Sequence, residues 1–494
     1  MSSMLEKART YEKEHGDKIG SDERPAFHLT PWSGWMNDPN GFCQYQGQYH
    51  LFYQYNPYAA HWDRMHWGHA VSTDLLHWEY LPAALAPDGE NDGAGCFSGS
   101  AVPLDDGRLL LMYTAVEERI ENGEKRIYQT QNLAVGDGLN FEKYSGNPVL
   151  DSRDLPEGSS KEDFRDPKML RLSDGSLACV IGSRPSDGSG QILFYTSEEG
   201  FHWNFKAVLD QNRNRFGKMW ECPDFFQMDG RWVLLTSPQD MQQAGAEYHP
   251  GNGTTCFIGD FDEKTGKFTE VCDQAIDYGI DFYAPQTLET PDGRRIMIGW
   301  MQNWDACAMR DPDAPWAGQM TLPRELEIRN DKLYQHPIAE LSQYRIGKVQ
   351  YKDLSVKDTV SLDGISGRCI DLEAEVTAAD EENPFYKFSI RFAEGNGHYT
   401  EFVFRPFEET VTADRSFCGS RRDLVHVREC LVPGTRDGHL KFRLILDRFS
   451  AELFLQDGEK VMTVTFFTEQ EADRISFHAV GEARMDVVKY DLNL

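Results

Sequence analysis

The sequence predicts an all-β protein: a five-bladed β-propeller followed by a C-terminal antiparallel β-sandwich. Three observations carry this. Five Gly-ended turns recur at near-regular intervals, an acidic residue precedes an aromatic by four positions in three of those intervals, and after about residue 355 the repeat gives way to plain strand alternation.

The turns are QG-QYHLFYQY at Gly47, DG-RLLLMYTA at Gly107, DG-SLACVIGS at Gly175, DG-RWVLLTSP at Gly230 and DG-RRIMIGWM at Gly293, spaced 60, 68, 55 and 63 residues apart. Asp-Gly between strand-like runs is a strong hairpin signal, and a recurring period marks a repeat architecture. The second mark is Asp74 to Trp78, Asp137 to Phe141 and Glu199 to Trp203. Each unit offers about four short strands, so five units make five propeller blades. The competing reading is an irregular sandwich in which common Asp-Gly turns recur by chance.

A chain of 494 residues, 40% of them hydrophobic, is long enough for two cores. We expect an N-terminal extension at 1–27, the propeller at 28–336, a linker at 337–354 and the sandwich at 355–494. With 80 acidic against 50 basic residues the formal charge is -30, which repels nucleic acid and anionic membranes and points to a neutral partner. The ten cysteines are scattered without a C-x-x-C pair, and the start, MSSMLEKARTYEKEHGDKIG, lacks the apolar run of a signal peptide. A cytoplasmic location is expected.

Counting nine residues back from each hairpin Gly lands on Asp38, Ser98, Asp166, Glu221 and Ala284. In a propeller such positions are related by rotation, so Asp38, Asp166 and Glu221 are expected to gather at the centre. Crowded carboxyls raise one another's pKa values, and a pair with one ionised and one protonated member is the apparatus of glycoside hydrolysis. For one acid alone, a turn cap or an ion pair, such as Arg165 for Asp166, is the competing explanation. Pro follows Asp38 and Asp166 directly and Glu221 two positions on, which stiffens the backbone that carries the acid.

Sugars present apolar faces and a rim of hydroxyls, so aromatic and short polar residues near these acids are candidates: Trp35, Trp62, Trp67, Phe97, Tyr283, Trp300 and Trp304, with Asn37, Gln54, Ser98 and Arg165. Trp78 and Trp203 are expected to pack between blades. His61, His66 and His69 match no familiar zinc spacing and no Gly-rich phosphate loop opens a helix, so neither a metal nor a cofactor is expected. Cys222, beside Glu221, is expected to pack and to shape that acid's surroundings.

WMNDPNG at 35–41, FYQYNP at 52–57, FSGSA at 97–101, FRDPK at 164–168, WECPDFF at 220–226, DFYAPQT at 281–287 and WAGQMTLPREL at 316–326 resemble glycoside hydrolase family 32, the family of invertases, sucrose-6-phosphate hydrolases and fructan-degrading enzymes. The likeness runs in order from about residue 28 to 345. It implies a five-bladed propeller and a retaining double displacement on a small fructoside: sucrose, its 6-phosphate or a short fructooligosaccharide. A fructosyltransferase, or a propeller that only binds sugar, is the alternative. Carried over by position, the resemblance makes Asp38 the nucleophile, Glu221 the acid/base and Asp166 the stabiliser. Asn37, Gln54, Trp62, Phe97, Ser98, Arg165, Tyr283 and Trp300 would line the fructosyl site. DRFSAELFLQDGEKVMT at 447–463 resembles the family's C-terminal sandwich, for which we expect a structural role: covering a propeller flank or forming a homodimer.

Overall fold

The computed structural model describes residues 2–308, 310–311, 313–380, 382–420 and 425–494. The first blade is β1 (Gly34–Tyr45), β2 (Gln48–Asn56), β3 (His66–Ser72) and β4 (Glu79–Leu85). The second is β5 (Gly95–Pro103), β6 (Leu109–Glu121), β7 (Glu124–Gly136) and β8 (Phe141–Lys143). The third is β9 (Phe164–Arg171), β10 (Leu177–Ser183), β11 (Gln191–Ser197) and β12 (Asn204–Gln211). The fourth is β13 (Trp220–Met228), β14 (Arg231–Pro238), β15 (Thr255–Asp262) and β16 (Lys267–Ala275). The fifth is β17 (Tyr283–Glu289) and β18 (Arg295–Trp300), then, after the two-residue β19 (Trp316–Ala317), β20 (Arg324–Arg329) and β21 (Lys332–Pro337).

The first strand of each blade touches the first strand of the next, β1 to β5 to β9 to β13 to β17 and back to β1, so these five strands form the central ring. β19 pairs parallel with β1, Gly34 opposite Trp316, and fastens the last blade to the first. The five Gly turns join the first and second strands of all five blades. Two need left-handed backbone at both corner residues, Gln46-Gly47 (φ 49° and 82°) and Asp229-Gly230 (φ 52° and 79°), the geometry that matches strand twist in a two-residue hairpin. The acid of the second mark caps the turn before the outermost strand: Asp74 Oδ1 accepts from the amides of Leu76 and His77, Asp137 Oδ1 from those of Leu139 and Asn140, and Glu199 Oε1 from those of Phe201 and His202.

Beyond the propeller, residues 337–354 carry a short 3-10 helix (Ala339–Tyr344) and most of β22 (Arg345–Val360). β23 (Ile370–Ala378), β24 (Lys387–Gly395), β25 (His398–Arg405), β26 (Thr410–Asp414), β27 (Val427–Leu431), β28 (Leu440–Asp447), β29 (Ser450–Leu455), β30 (Lys460–Thr465) and β31 (Arg474–Leu492) follow. The two layers of this domain are halves of one hydrogen-bonded sheet rather than separate sheets. β31 pairs β24 along its first half and β23 along its second, and Gly481 (φ 103°) stands at the change of partner. The layers close on Phe388, Phe402 and Phe404 from one half and Leu440, Phe442 and Leu453 from the other. At the other end of the chain, α1 (Ser3–Gly16) packs on β4 and buries Leu5, Ala8 and Glu12.

Candidate active site

All five central strands bulge at one level. Two residues oppose one between Met36 and Pro39 in β1, Cys96 and Gly99 in β5, Arg165 and Lys168 in β9, Glu221 and Asp224 in β13, and Tyr283 and Gln286 in β17. A bulge bends a strand and re-aims its side chains. Asp166, Cys222 and Ala284, each the first bulge residue and each followed by Pro, carry left-handed backbone (φ 66°, 47° and 49°), a conformation disfavoured for non-glycine residues and concentrated at functional sites. A constant count of nine therefore does not select one ladder position. Glu221 precedes its bulge, Asp166 opens it and Asp38 is its second residue. The acids meet because every first strand breaks register at the same height.

They meet in a cavity of about 360 Å³ at one mouth of the ring, lined by Asn37, Asp38, Gln54, Trp62, Phe97, Ser98, Gln129, Arg165, Asp166, Glu221, Gln239 and Trp304. Ser98 Oγ donates to Asp38 Oδ2 at 2.7 Å, while Asp38 Oδ1 receives no hydrogen bond among the described residues. The Cys222 amide donates to Asp166 Oδ2 at 3.0 Å, and its thiol lies 3.4 Å from Asp38 Oδ2 and 3.6 Å from Asp166 Oδ2. Cys222 thus ties two acids together, a closer part than the packing role expected of it. Arg165 Nε donates to Glu221 Oε1 at 3.0 Å and its Nη1 to Asp163 at 3.0 Å, so its partners are these acids.

Burial, then the charge of Glu221, pushes Asp38 up to about 6, against the hydrogen bonds from Ser98, Asn37 and Cys222. The same two causes, joined by Asp38 and opposed by Arg165 and the Cys222 amide, push Asp166 up to about 7. The two titrate as members of one coupled set.

Of the residues that the sequence singles out, Asn37, Gln54, Trp62, Phe97, Ser98, Arg165 and Trp304 line the cavity with the three acids. Trp35 Nε1 donates to Asn37 Oδ1, Gln54 Nε2 donates to the Cys96 carbonyl, and Trp67 Nε1 donates to that of Phe97, which orients the wall. Tyr283 and Trp300 do not line it. Both are fully buried behind the wall, because Trp300 is covered edge-on by Trp35 and Trp304 while Tyr283 turns its hydroxyl onto Glu221 Oε2 at 2.7 Å. Gln129, on β7, and Gln239, just after β14, were not foreseen. Neither lies in a motif, and an isolated Gln carries no chemical signal. His69 bonds His50 and His66 the Arg64 carbonyl, and the described residues hold no cluster of His, Cys, Asp or Glu fit for a metal ion. Among the described residues no helix is long and apolar enough to cross a membrane.

Three acids and an arginine in a shallow pit walled by indoles and amides, at one end of a five-bladed ring, define a glycoside hydrolase. The chain belongs to glycosyl hydrolases family 32: the model of that family's N-terminal domain matches residues 28–337 and that of its C-terminal domain residues 340–493. It is 36% identical over 473 residues to sucrose-6-phosphate hydrolase of Escherichia coli, covering 94% of this chain and 93% of that one. It is 34% identical over 497 residues to raffinose invertase of Escherichia coli, covering 98% of each. Among solved structures, a β-fructofuranosidase of Bombyx mori in complex with sucrose superposes with a TM-score of 0.84 at 34% identity, over 99% of this chain and 98% of that one.

Proposed function

We propose that this pit releases terminal β-D-fructofuranosyl units from sucrose-type substrates with retention of configuration. Asp38 is the nucleophile, Glu221 the acid/base and Asp166 the group that holds fructosyl hydroxyls and stabilises developing positive charge. The observation that carries the reading is the bonding of the acids: Ser98 Oγ and the Cys222 thiol both meet Asp38 Oδ2, which fixes that carboxylate in the cavity wall, while Arg165 and Tyr283 hold the two oxygens of Glu221.

Glu221 has the partners an acid/base needs in both its states. The Tyr283 hydroxyl lies 2.7 Å from Glu221 Oε2 and 2.9 Å from the Ser237 carbonyl. A phenol has one proton and a carbonyl only accepts. When Tyr283 donates to Ser237, its oxygen accepts from a protonated Glu221. Once that proton passes to the leaving oxygen, Tyr283 and Arg165 both donate to the carboxylate left behind. Glu221 then takes a proton from the water that frees fructose.

The amides of Asn37, Gln54, Gln129 and Gln239 suit neutral hydroxyls, and the relatives' names put sucrose, its 6-phosphate and raffinose among the substrates to compare. Among the described residues the cysteines form no disulfide, which fits the proposed cytoplasmic setting. Assay of a Glu221→Gln variant tests the mechanism: we expect a loss of roughly 10²- to 10⁴-fold on sucrose and a much smaller one on an aryl fructoside, whose leaving group needs little protonation. Equal losses overturn the acid role. A wild-type protein that frees no fructose from any of these substrates overturns the whole reading.

A further inference from the structure

We infer that the N-terminal helix sets the position of Trp62 in the pocket, which makes Tyr11 a positioning residue acting from outside the site. The inference rests on the reading of this cavity as the fructoside site.

Trp62 is half exposed at the cavity mouth and meets Phe97 edge-on, ring centroids 5.8 Å apart. It stands in the stretch between β2 and β3, residues 57–65, which no strand ladder holds. Within that stretch the supports are few. Asn56 Nδ2 donates to the His61 carbonyl at 2.9 Å, and the Tyr58 amide donates to Asn56 Oδ1 at 3.1 Å.

The ends of the stretch are held by the Ser33 hydroxyl, which donates to the Pro57 carbonyl at 2.9 Å, and by the Cys96 amide, which donates to the Met65 carbonyl at 2.9 Å; the helix adds the hold on Tyr58. Tyr11 packs edge-on against Tyr58 at 5.0 Å, its hydroxyl donates to the Tyr58 carbonyl at 3.3 Å, and the Lys7 ammonium sits 5.2 Å from the Tyr58 ring. Tyr58 in turn abuts His66, the first residue of β3, at 5.7 Å. Tyr58 is therefore wedged between α1 and the strand where the loop ends, four residues before Trp62.

The helix is anchored independently of that loop. Arg9 Nε donates to the Ala83 carbonyl at 2.9 Å, and the Ala83 amide donates to the buried carboxylate of Glu12 at 2.8 Å. Leu5 and Ala8 are buried beneath it. A braced helix against a loop with few bonds of its own fixes the direction of support: β4 holds α1, α1 holds Tyr58, and the loop presents Trp62. The hydrogen bonds of Asp38, Asp166 and Glu221, by contrast, come from Ser98 and Arg165 in the pit wall and Cys222 and Tyr283 behind it. Loosening the brace should weaken substrate capture and spare the chemical step.

Steady-state kinetics of the full chain on sucrose test this. Tyr11→Ala is expected to raise KM about three- to tenfold with kcat within about twofold, and Tyr11→Phe, which keeps the ring contact, to stay near wild type. Trp62→Ala is expected to raise KM by itself, and Tyr11→Ala to add nothing in that background. Tyr11→Leu preserves apolar bulk on the helix and should move KM in the same direction by less, which covers the case where Tyr11→Ala unseats the helix. An unchanged KM in a folded Tyr11→Ala protein overturns the inference, as does a full multiplicative effect of Tyr11→Ala in the Trp62→Ala background. If Trp62→Ala alone leaves KM unchanged, the reading of the pocket wall fails and the inference fails with it.

Discussion

Two buried clusters of charge sit in this molecule, and they run in opposite directions. In the catalytic pit Asp38, Asp166 and Glu221 gather around Arg165. At the seam between the propeller and the C-terminal sheet, Asp277, Asp281, Asp447 and Glu452 face His28, Arg324 and Arg415. There His28 Nδ1 lies 2.8 Å from Asp447 and its Nε2 3.0 Å from Glu452. Arg324 pairs with Glu452 and Asp277, and Arg415 with Asp281 at 2.7 Å. Burial works to raise Asp38 and Asp166 in the pit and Asp277, Asp447 and Glu452 at the seam, where Asp277 stays above its ordinary value against Arg324 and Thr463. At the seam, hydrogen bonds and charge from His28 overcome it for Asp447, and Arg324 with His28 does so for Glu452, so both finish below their ordinary values. In the pit the raised values stand. Burial is common to both places, and for Asp447 and Glu452 the hydrogen bonds and counter-charge around them reverse its sign. On the proposed mechanism the pit holds unfavourable charge where an oxocarbenium-like transition state would call for it, while the seam pairs its acids with His28, Arg324 and Arg415 across the propeller and the C-terminal sheet.

The comparison breaks most visibly if Asp38→Asn fails to separate activity from stability. Turnover should fall roughly 10⁴-fold or more, as when a nucleophile is removed. Stability should move the other way. The pKa of Asp38 is raised on folding, so ionising it costs stability: nothing below about pH 4, the full amount above about pH 6. An amide escapes that cost, and the variant should be more stable than wild type at pH 8 by roughly 1–3 kcal/mol. Denaturant melts at pH 4 and pH 8 check this, and a variant less stable at pH 8 would contradict it.

The seam predicts the reverse. Burial alone would lower His28, but Asp447 and Glu452 raise it to about 9. Its stabilising contribution is fully present below about pH 6.5 and is lost as pH rises through 9. His28→Gln should therefore cost about 3 kcal/mol at pH 6 and abolish the wild-type decline in stability between pH 7 and 9. The kcat of the folded fraction should not change. A variant that keeps the wild-type pH slope would remove His28 from the account.

These regions also differ in how far the sequence discloses them. The blades are legible because tight strand-to-strand turns need a residue with left-handed backbone, and Gly47, Gly107, Gly175, Gly230 and Gly293 supply it in register with apolar runs. The three acids are legible because carboxyls beside Pro at a repeat offset have few structural uses. The bulges that bring those acids together leave no composition of their own, so the count of nine finds the right residues at slightly different ladder positions. The seam is hard to see in sequence: His28 and Asp447 lie 419 residues apart, and although Asp447 opens the DRFSAELFLQDGEKVMT stretch, nothing there marks it as the partner of a distant histidine. The doubled C-terminal sheet is hidden for the same reason, since the partners of β31 are chosen by long-range pairing on either side of Gly481.

A smaller effect sharpens the electrostatics within the pit. Ser98 donates to Asp38 Oδ2 and so favours the carboxylate form. Ser98→Ala should raise Asp38 further and move the acid limb of kcat/KM upward by about one pH unit or less. That limb belongs to the coupled Asp38 and Asp166 set rather than to one residue. A pH profile of the variant that overlays wild type would mean that Ser98 serves sugar binding alone.

Glu12 provides the intermediate case, a buried carboxyl with no crowd of like charges and a cation, Arg9, acting only at a distance. Burial raises it to about 7 against the Ala83 amide, the Tyr55 hydroxyl and Arg9. Being raised, it makes folding less favourable as pH climbs through 7 and has no such effect at pH 4, where folded and unfolded chains both hold the proton. Glu12→Gln keeps an oxygen for the Ala83 amide and cannot ionise. It should leave stability at pH 4 almost unchanged and raise it at pH 8 by roughly 1–3 kcal/mol, read as an upward shift in Tm. Placed between pit and seam, the variant tests whether partial compensation gives an intermediate penalty. A loss of stability at pH 8 would show that the Ala83 contact needs the full charge, and would move Glu12 to the side of the seam.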